Sequence, residues 1–213
     1  AATTTTSTAM TELKLIYFNA KGLAELSRWM LKYAKIPFTD ERVEKADWPE
    51  RKKAIPGGKL PVLEVEGKML PQSLAIARFV AKKAGLLPED PLHAAFCDAV
   101  VETLRDVIVD MFKIKNAEDK SEEEKKKILK EEYMPNTLFP LLERLDKRLG
   151  DKEWFIGDQI SWADFAIART MEGLFSHMPD LATKFPKIKA HTDKVQNLPG
   201  VKEWIATRPD TPS

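Results

Sequence analysis

The chain has 213 residues, 34 Lys plus Arg against 33 Asp plus Glu, a formal net charge of +1 and 43% apolar residues. A chain of this length buries about 70% of its unfolded surface, so it needs no disulfide or metal staple. Its balanced charge argues against a nucleic-acid binder and against a polybasic membrane-surface protein. The single Cys97 excludes an intrachain disulfide framework and a cysteine zinc cluster, and His93, His177 and His191 lack metal-ligand spacing.

The opening residues are small and polar, with no basic segment and no apolar segment. They read as a flexible tail over 1–10 rather than a secretory signal. No apolar run approaches the roughly 18 residues of a membrane span, and a lone thiol fits a cytoplasmic compartment. Residues 13–18 (LKLIYF) are rich in β-formers, and 19–22 (NAKG) read as a turn. Residues 24–35 carry Leu26, Met30, Leu31 and Ala34 at helical spacing, and Pro37 ends the run. Residues 40–44 read as an edge strand or an extended link, and 46–53 as a short helix with Pro49 in its first turn. Residues 60–65 and 68–70 flank Glu66-Gly67, a hairpin pattern. The cleanest helix is 73–85, with Ser73 expected as its cap and Gly85 as its stop.

Two prolines and two acids in 86–91 mark a linker, and helical patterns follow. Apolar residues recur through 92–115, 138–149, 161–176, 186–197 and 201–206, whereas 118–132 read as a solvated helix dense in both charges. Ser161-x-x-Asp164 has the spacing of a capping box. The pattern is a small α/β unit followed by an all-helical unit.

Few residues carry chemistry. Tyr17 ends the first strand, at the sheet edge where α/β folds place ligands, and its hydroxyl can stabilise an anion such as a thiolate. Gln72-Ser73 opens a helix whose free amides suit a carboxylate. Lys52, Lys53 and Lys59 surround Pro56-Gly57-Gly58 and could neutralise a second acid, with Trp48 as a wall. Asp98, Glu102, Asp106 and Asp110 recur every fourth residue and could bind a cation or face a basic partner, although Arg105 lies among them. Taken singly, each is better explained as an ordinary strand aromatic, helix cap, surface lysine or solvated acid.

Together they match a pattern. Leu15-Ile16-Tyr17-Phe18-Asn19, Ala24-Glu25, Asp47-Trp48-Pro49, Pro56 through Glu64 (PGGKLPVLE), Gln72 through Phe79 (QSLAIARF), Trp162-Ala163-Asp164, Trp204-Ile205 and Arg208-Pro209 resemble the cytosolic glutathione transferases, most closely the sigma class. The resemblance spans residues 12–210. It implies a thioredoxin-like N-terminal domain over 11–85 and, after the linker, an all-helical domain over 92–213, assembled as a homodimer. It implies an enzyme with glutathione as cosubstrate and no resident cofactor or metal, attacking hydrophobic electrophiles, with peroxide reduction as a side activity. By resemblance, Tyr17 holds the glutathione sulfur, with Phe18, Leu23 and Gly58 in the same shell. Pro61 would be a cis-proline, with the Leu60 backbone paired to the cysteinyl unit. Gln72 and Ser73 would receive the γ-glutamyl carboxylate, and Trp48, Lys52 and Lys59 the glycyl end. Asp106 of a second subunit would meet the γ-glutamyl amine. The electrophile pocket would lie between Phe18, Gly22, Leu23, Ile108, Met111 and Phe112.

Two positions depart from the pattern. Many sigma members carry an arginine, which helps stabilise the thiolate, where Leu23 stands. Vertebrate prostaglandin D synthases of this class bind Mg²⁺ through three acids, and the matching positions here are Glu102, Arg105 and Asp106, where Arg105 argues against a metal. The alternatives are a glutathione-dependent prostaglandin isomerase and a non-catalytic crystallin or ligand-carrier relative.

Overall fold

The computed structural model describes residues 12–211, so the expected tail at 1–10 lies outside the described residues. The first strand, β1 (Leu13–Phe18), is followed by α1 (Glu25–Tyr33) and by β2 (Thr39–Val43), which runs parallel to β1. A short helix α2 (Trp48–Arg51) and two 3-10 turns lead to the antiparallel pair β3 (Val62–Val65) and β4 (Lys68–Pro71), then α3 (Ser73–Lys83). The sheet order β2-β1-β3-β4 puts β1 between a parallel and an antiparallel neighbour. Residues 40–44 are therefore mostly edge strand. Glu66 and Gly67 both take positive φ, 50° and 74°, which gives a two-residue turn whose twist suits a hairpin.

Strand alternation sorts β1 between two cores. Leu13, Leu15 and Tyr17 join the main core with Trp29, Met30, Leu63 and Ile76. Ile16 points the other way, into a small cluster with Val43, Ile55 and Val62. Tyr17 thus reaches the strand end on the face covered by α1 and α3.

Helix α3 corrects one expectation: Ser73 is its first helical residue, and the cap is Gln72, held at φ 75° with no side-chain capping bond. Pro91, read as the end of the linker, instead opens α4 (Pro91–Lys115), where Asp90 accepts from the His93 amide at 2.8 Å. Leu86 is buried, and its carbonyl accepts from the Trp162 amide at 3.0 Å.

The charged stretch is the second correction. Helix α5 covers only Glu122–Lys127, and the backbone then widens into a π-helix over Ile128–Leu138. Pro135 sits inside that segment and has no amide to donate, so a regular helical ladder is interrupted there. Tyr133, buried in it, donates to the Val107 carbonyl, and burial together with the charge of Asp110 pushes its phenol up to about 12. Helices α6 (Phe139–Leu149), α7 (Trp162–His177), α8 (Asp180–Lys184), α9 (Pro186–Gln196) and α10 (Val201–Thr207) complete the helical part. The five-residue α8 has too few turns to leave a periodic signal. No helix among the described residues is long and apolar enough to cross a membrane.

The start of α7 is pinned by Asp164, which is fully buried. Its carboxylate accepts from the Ser161 amide (2.8 Å), the Ser161 hydroxyl (3.0 Å) and the Phe155 amide (2.9 Å), and lies 2.9 Å from His191 Nε2. Half of the expected capping box is therefore made. The Ser161 hydroxyl turns to the carboxylate, and the Asp164 amide goes to the Ser161 carbonyl instead.

A second buried carboxylate ties the chain's beginning to its end. Glu25, on the first turn of α1, accepts from Trp29 Nε1 (3.1 Å), Trp204 Nε1 (2.9 Å), Arg208 Nη1 (2.7 Å) and Arg28 Nη1 (3.1 Å). Burial alone pushes its carboxyl up. The bonds from Arg208 and Trp204 and the charges of Arg208 and Arg28 outweigh that, and the net direction is down from the ordinary 4.5. A carboxyl lowered on folding stabilises the protein above its unfolded value, and that stabilisation is lost as the pH falls below 4.5 toward the folded value.

Replacing Asp164 with Ala strips two buried amides, a hydroxyl and an imidazole of their common partner. The expected cost is about 3–5 kcal/mol of unfolding free energy, read from urea denaturation. An unchanged midpoint would show that the carboxylate does not hold this junction.

Candidate functional site

The site is built outward from Tyr17. After β1 the chain turns through Asn19–Lys21 into a 3-10 turn, Gly22–Ala24, which brings the Leu23 amide back over the strand end. That amide donates to the Tyr17 hydroxyl at 3.2 Å. Only glycine fits at position 22. Its φ is +39°, and an added Cβ would stand 2.5 Å from the Tyr17 hydroxyl. Leu23 itself turns its side chain outward, 60% exposed, so what this position offers Tyr17 is its backbone. Beneath the ring, the Arg28 guanidinium carbon lies 5.9 Å from the centroid, a cation–π arrangement.

The hydroxyl therefore has one lone pair engaged by an amide and one proton to give. Such a group holds an incoming anion by donating to it. Cys97 offers no competing nucleophile: it is buried, and burial pushes its thiol up.

One wall runs away from Tyr17 along Phe18 and Trp48, whose rings meet edge to face at 5.2 Å. Trp48 packs on the small second core, which fixes the start of α2. Lys52 follows, its stem lying over Gly58, where a Cβ would come within 2.8 Å of Lys52 Cε at φ +57°. Lys59 is exposed beside it, and the Leu60–Pro61 bond is cis. Trp48, Lys52, Gly58, Lys59, Leu60 and Pro61 thus lie along one run between α2 and β3.

The N-terminus of α3 borders a cavity whose lining does not include Tyr17. Gln72, Ser73, Leu74 and Ala75 line this cavity of about 210 Å³ with Arg78, Glu102 and Arg105. Because Gln72 supplies no side-chain cap, the first amides of the helix are free to face a ligand, and the helix dipole adds positive character. Arg105, which in the sequence speaks only against a metal, lines this cavity and pairs with Glu102 at 3.6 Å. The acidic stripe on α4 is largely self-neutralised: Asp98 pairs with Arg78 at 3.0 Å, and Asp110 with Lys113 at 2.8 Å. Asp106 is exposed and makes no hydrogen bond or ion pair among the described residues.

Ile108 and Met111 are half-buried against the main core that includes Tyr17, and Phe112 is 50% exposed. Among the described residues no hydrogen bond or ring contact joins these three to Tyr17. Arg28 was missed altogether from the sequence, where it is one more arginine in a helical pattern. Its signal was its place, three residues after Glu25 on the helix that follows Tyr17.

Comparison with known proteins matches the chain to one group. A family model described as "Glutathione S-transferase, N-terminal domain" matches residues 13–82, and one described as "Glutathione S-transferase, C-terminal domain" matches 105–208. A chicken (Gallus gallus) protein named hematopoietic prostaglandin D synthase is 41% identical over 202 residues, covering 95% of this chain and 99% of that one. Glutathione S-transferase 1 of Ascaris suum is 34% identical over 208 residues, covering 95% and 100%. Among solved structures, the hookworm (Necator americanus) enzyme titled "monomeric Na-GST-3" superposes with a TM-score of 0.81 at 33% identity, covering 94% of this chain and 98% of that one.

Proposed function

The chain belongs to the glutathione S-transferase family and is an enzyme of it; from that premise we propose that it is a sigma-class-like transferase in which the Tyr17 hydroxyl stabilises the glutathione thiolate for attack on hydrophobic electrophiles. The observation that carries this reading is the Leu23 amide on the Tyr17 oxygen, which leaves the phenolic proton as the group's remaining bond.

Glutathione has two carboxylates, one amine and one thiol, and the walls offer complementary groups. The amides opening α3, with Gln72 and Ser73, take the γ-glutamyl carboxylate. The ammonium groups of Lys52 and Lys59, beside Trp48, take the glycyl carboxylate. The Leu60 backbone pairs with the cysteinyl unit. A free thiol near pKa 8.5 is only a few per cent ionised at neutral pH, and lowering it by ~2 units takes ~2.7 kcal/mol. A hydrogen bond to a charged acceptor contributes ~1.5–3 kcal/mol, which supplies most of that. The thiolate then attacks, a carbon–sulfur bond forms, and the electrophile's leaving group departs with its electron pair. Phe18, Gly22, Leu23, Ile108, Met111 and Phe112 form the apolar side that receives the electrophile.

A second reading, glutathione-dependent prostaglandin isomerisation, is favoured by the name of the chicken relative. It uses the same thiolate, so the cradle serves either reaction. The Mg²⁺ site that the sequence resemblance attaches to vertebrate synthases is not part of the proposal, because Arg105 puts a guanidinium against Glu102. Assaying prostaglandin H isomerisation beside conjugation separates the two.

Tyr17→Phe should cut the rate of conjugation to chlorodinitrobenzene at least tenfold at neutral pH, with glutathione affinity by calorimetry within about twofold of the parent. An unaltered rate rejects Tyr17 as the thiolate's donor. We also propose a cytoplasmic homodimer in which the partner subunit's Asp106 meets the γ-glutamyl amine. Sedimentation should then give twice the chain mass, and a fully active monomer, the state the hookworm title describes for its own protein, would refute that assembly.

A further inference from the structure

We propose that Arg28 is a positioning residue for Tyr17: it holds the 19–23 turn so that the Leu23 amide stays on the Tyr17 hydroxyl. This rests on the reading of Tyr17 above.

Arg28 is fully buried, which is rare for an arginine, and it spans three elements. Its Nε donates to Asp40 of β2 at 2.9 Å. Its Nη1 donates to the carbonyls of Ala20 (2.8 Å) and Lys21 (3.3 Å) and to Glu25 at 3.1 Å. Ala20 and Lys21 directly precede Gly22 and Leu23. Two backbone carbonyls held by Nη1, on a rigid guanidinium whose Nε is tied to Asp40, fix where the next amide falls. The Nη2 atom has no hydrogen bond, and the guanidinium lies under the Tyr17 ring. The one side chain thus touches both the aromatic body of Tyr17 and the turn that contacts its oxygen.

Arg28 is itself held in place. Asp40 is braced by Arg42 at 2.9 Å. Glu25 is clamped by Trp204 and Arg208 from the far end of the chain, and Arg208 also pairs with Glu172, which Arg169 meets at 3.4 Å. Four guanidiniums against three carboxylates leave this cluster net positive, with Arg28 at its Tyr17 end. The amide bond on its oxygen polarises the Tyr17 O–H, since bonds in a chain strengthen one another, and a polarised O–H favours negative charge on a sulfur beside it.

An arginine that merely glued the core would alter stability alone. A positioning arginine also moves the ionisation of the bound thiol. In Arg28→Lys the fork is lost and one ammonium cannot hold both carbonyls and Asp40. The thiolate loses stabilisation, so its titration moves to higher pH. The test is the ultraviolet titration of the thiolate in the enzyme–glutathione complex, with the pH profile of kcat/KM for chlorodinitrobenzene conjugation. The expected result is an upward shift of about 0.5–1 pH unit and a threefold to tenfold lower rate below the titration, with the KM for glutathione within about twofold. In a Tyr17→Phe background the same substitution should add no further shift, because it acts through the phenol. A lowered melting temperature with a superimposable pH profile would overturn the proposal. If Arg28→Lys does not fold, Asp40→Glu displaces one anchor while keeping the charge of the cluster. A smaller upward shift supports the proposal, and a parental profile overturns it. Should Tyr17→Phe itself leave the titration unmoved, the Tyr17 reading falls and this proposal with it. A shift in Tyr17→Phe with none in Arg28→Lys removes only the role of Arg28.

Discussion

A phenolic oxygen that accepts from a backbone amide at 3.2 Å has its proton free for one further bond, and that asymmetry at Tyr17 organises the rest of the molecule. The strand that ends there is buried on both faces, so the ring cannot drift. The residue at 22 is glycine because anything larger meets the hydroxyl. The turn between them is gripped by an arginine that is buried yet mostly bonded. Each is an ordinary packing rule applied at one point, and together they hold a donor in place before any ligand arrives, which is how preorganised electrostatic stabilisation works.

The same economy extends to the walls. An anionic tripeptide needs positive character without a deep cationic sink, and net charge near zero is compatible with that because the positive groups are local. In the proposed cradle, free amides at the start of α3 take one acid, and Lys52 and Lys59 beside Trp48 take the other. The long-range links are made by buried carboxylates. Asp164 binds the start of α7 to α9, and Glu25 binds the first helix to the last. A buried ion group adds little net stability over apolar packing, but removing one member leaves its partner stranded. Such groups therefore set geometry more than they add free energy. That is the role proposed for the cluster behind Tyr17.

Much of this was legible in the sequence, for identifiable reasons. LKLIYF, the hairpin at Glu66-Gly67 and the Gly85 stop are local signals, and each became the element expected. The glutathione transferase resemblance, carried by PGGKLPVLE and QSLAIARF, led to the family that the comparisons identify. Other features were not local. Ser73 has the chemistry of a cap, but the backbone at Gln72 turns left-handed to face the cavity, and the helix begins one residue early. The charge run of 118–132 hid a change of helical pitch that depends on Pro135 and on Tyr133 reaching Val107, 26 residues back. Arg28 has only a faint local signal because its meaning lies in what it touches: a carboxylate twelve residues ahead on a neighbouring strand and two carbonyls in the preceding turn.

The most direct measurement is a crystal structure of the protein grown with glutathione. The sulfur should lie within about 3.5 Å of the Tyr17 hydroxyl, with the Leu23 amide still on that oxygen and the γ-glutamyl end at the start of α3. A sulfur bonded elsewhere, or a cradle left empty at saturating glutathione, would contradict the role given to this one proton.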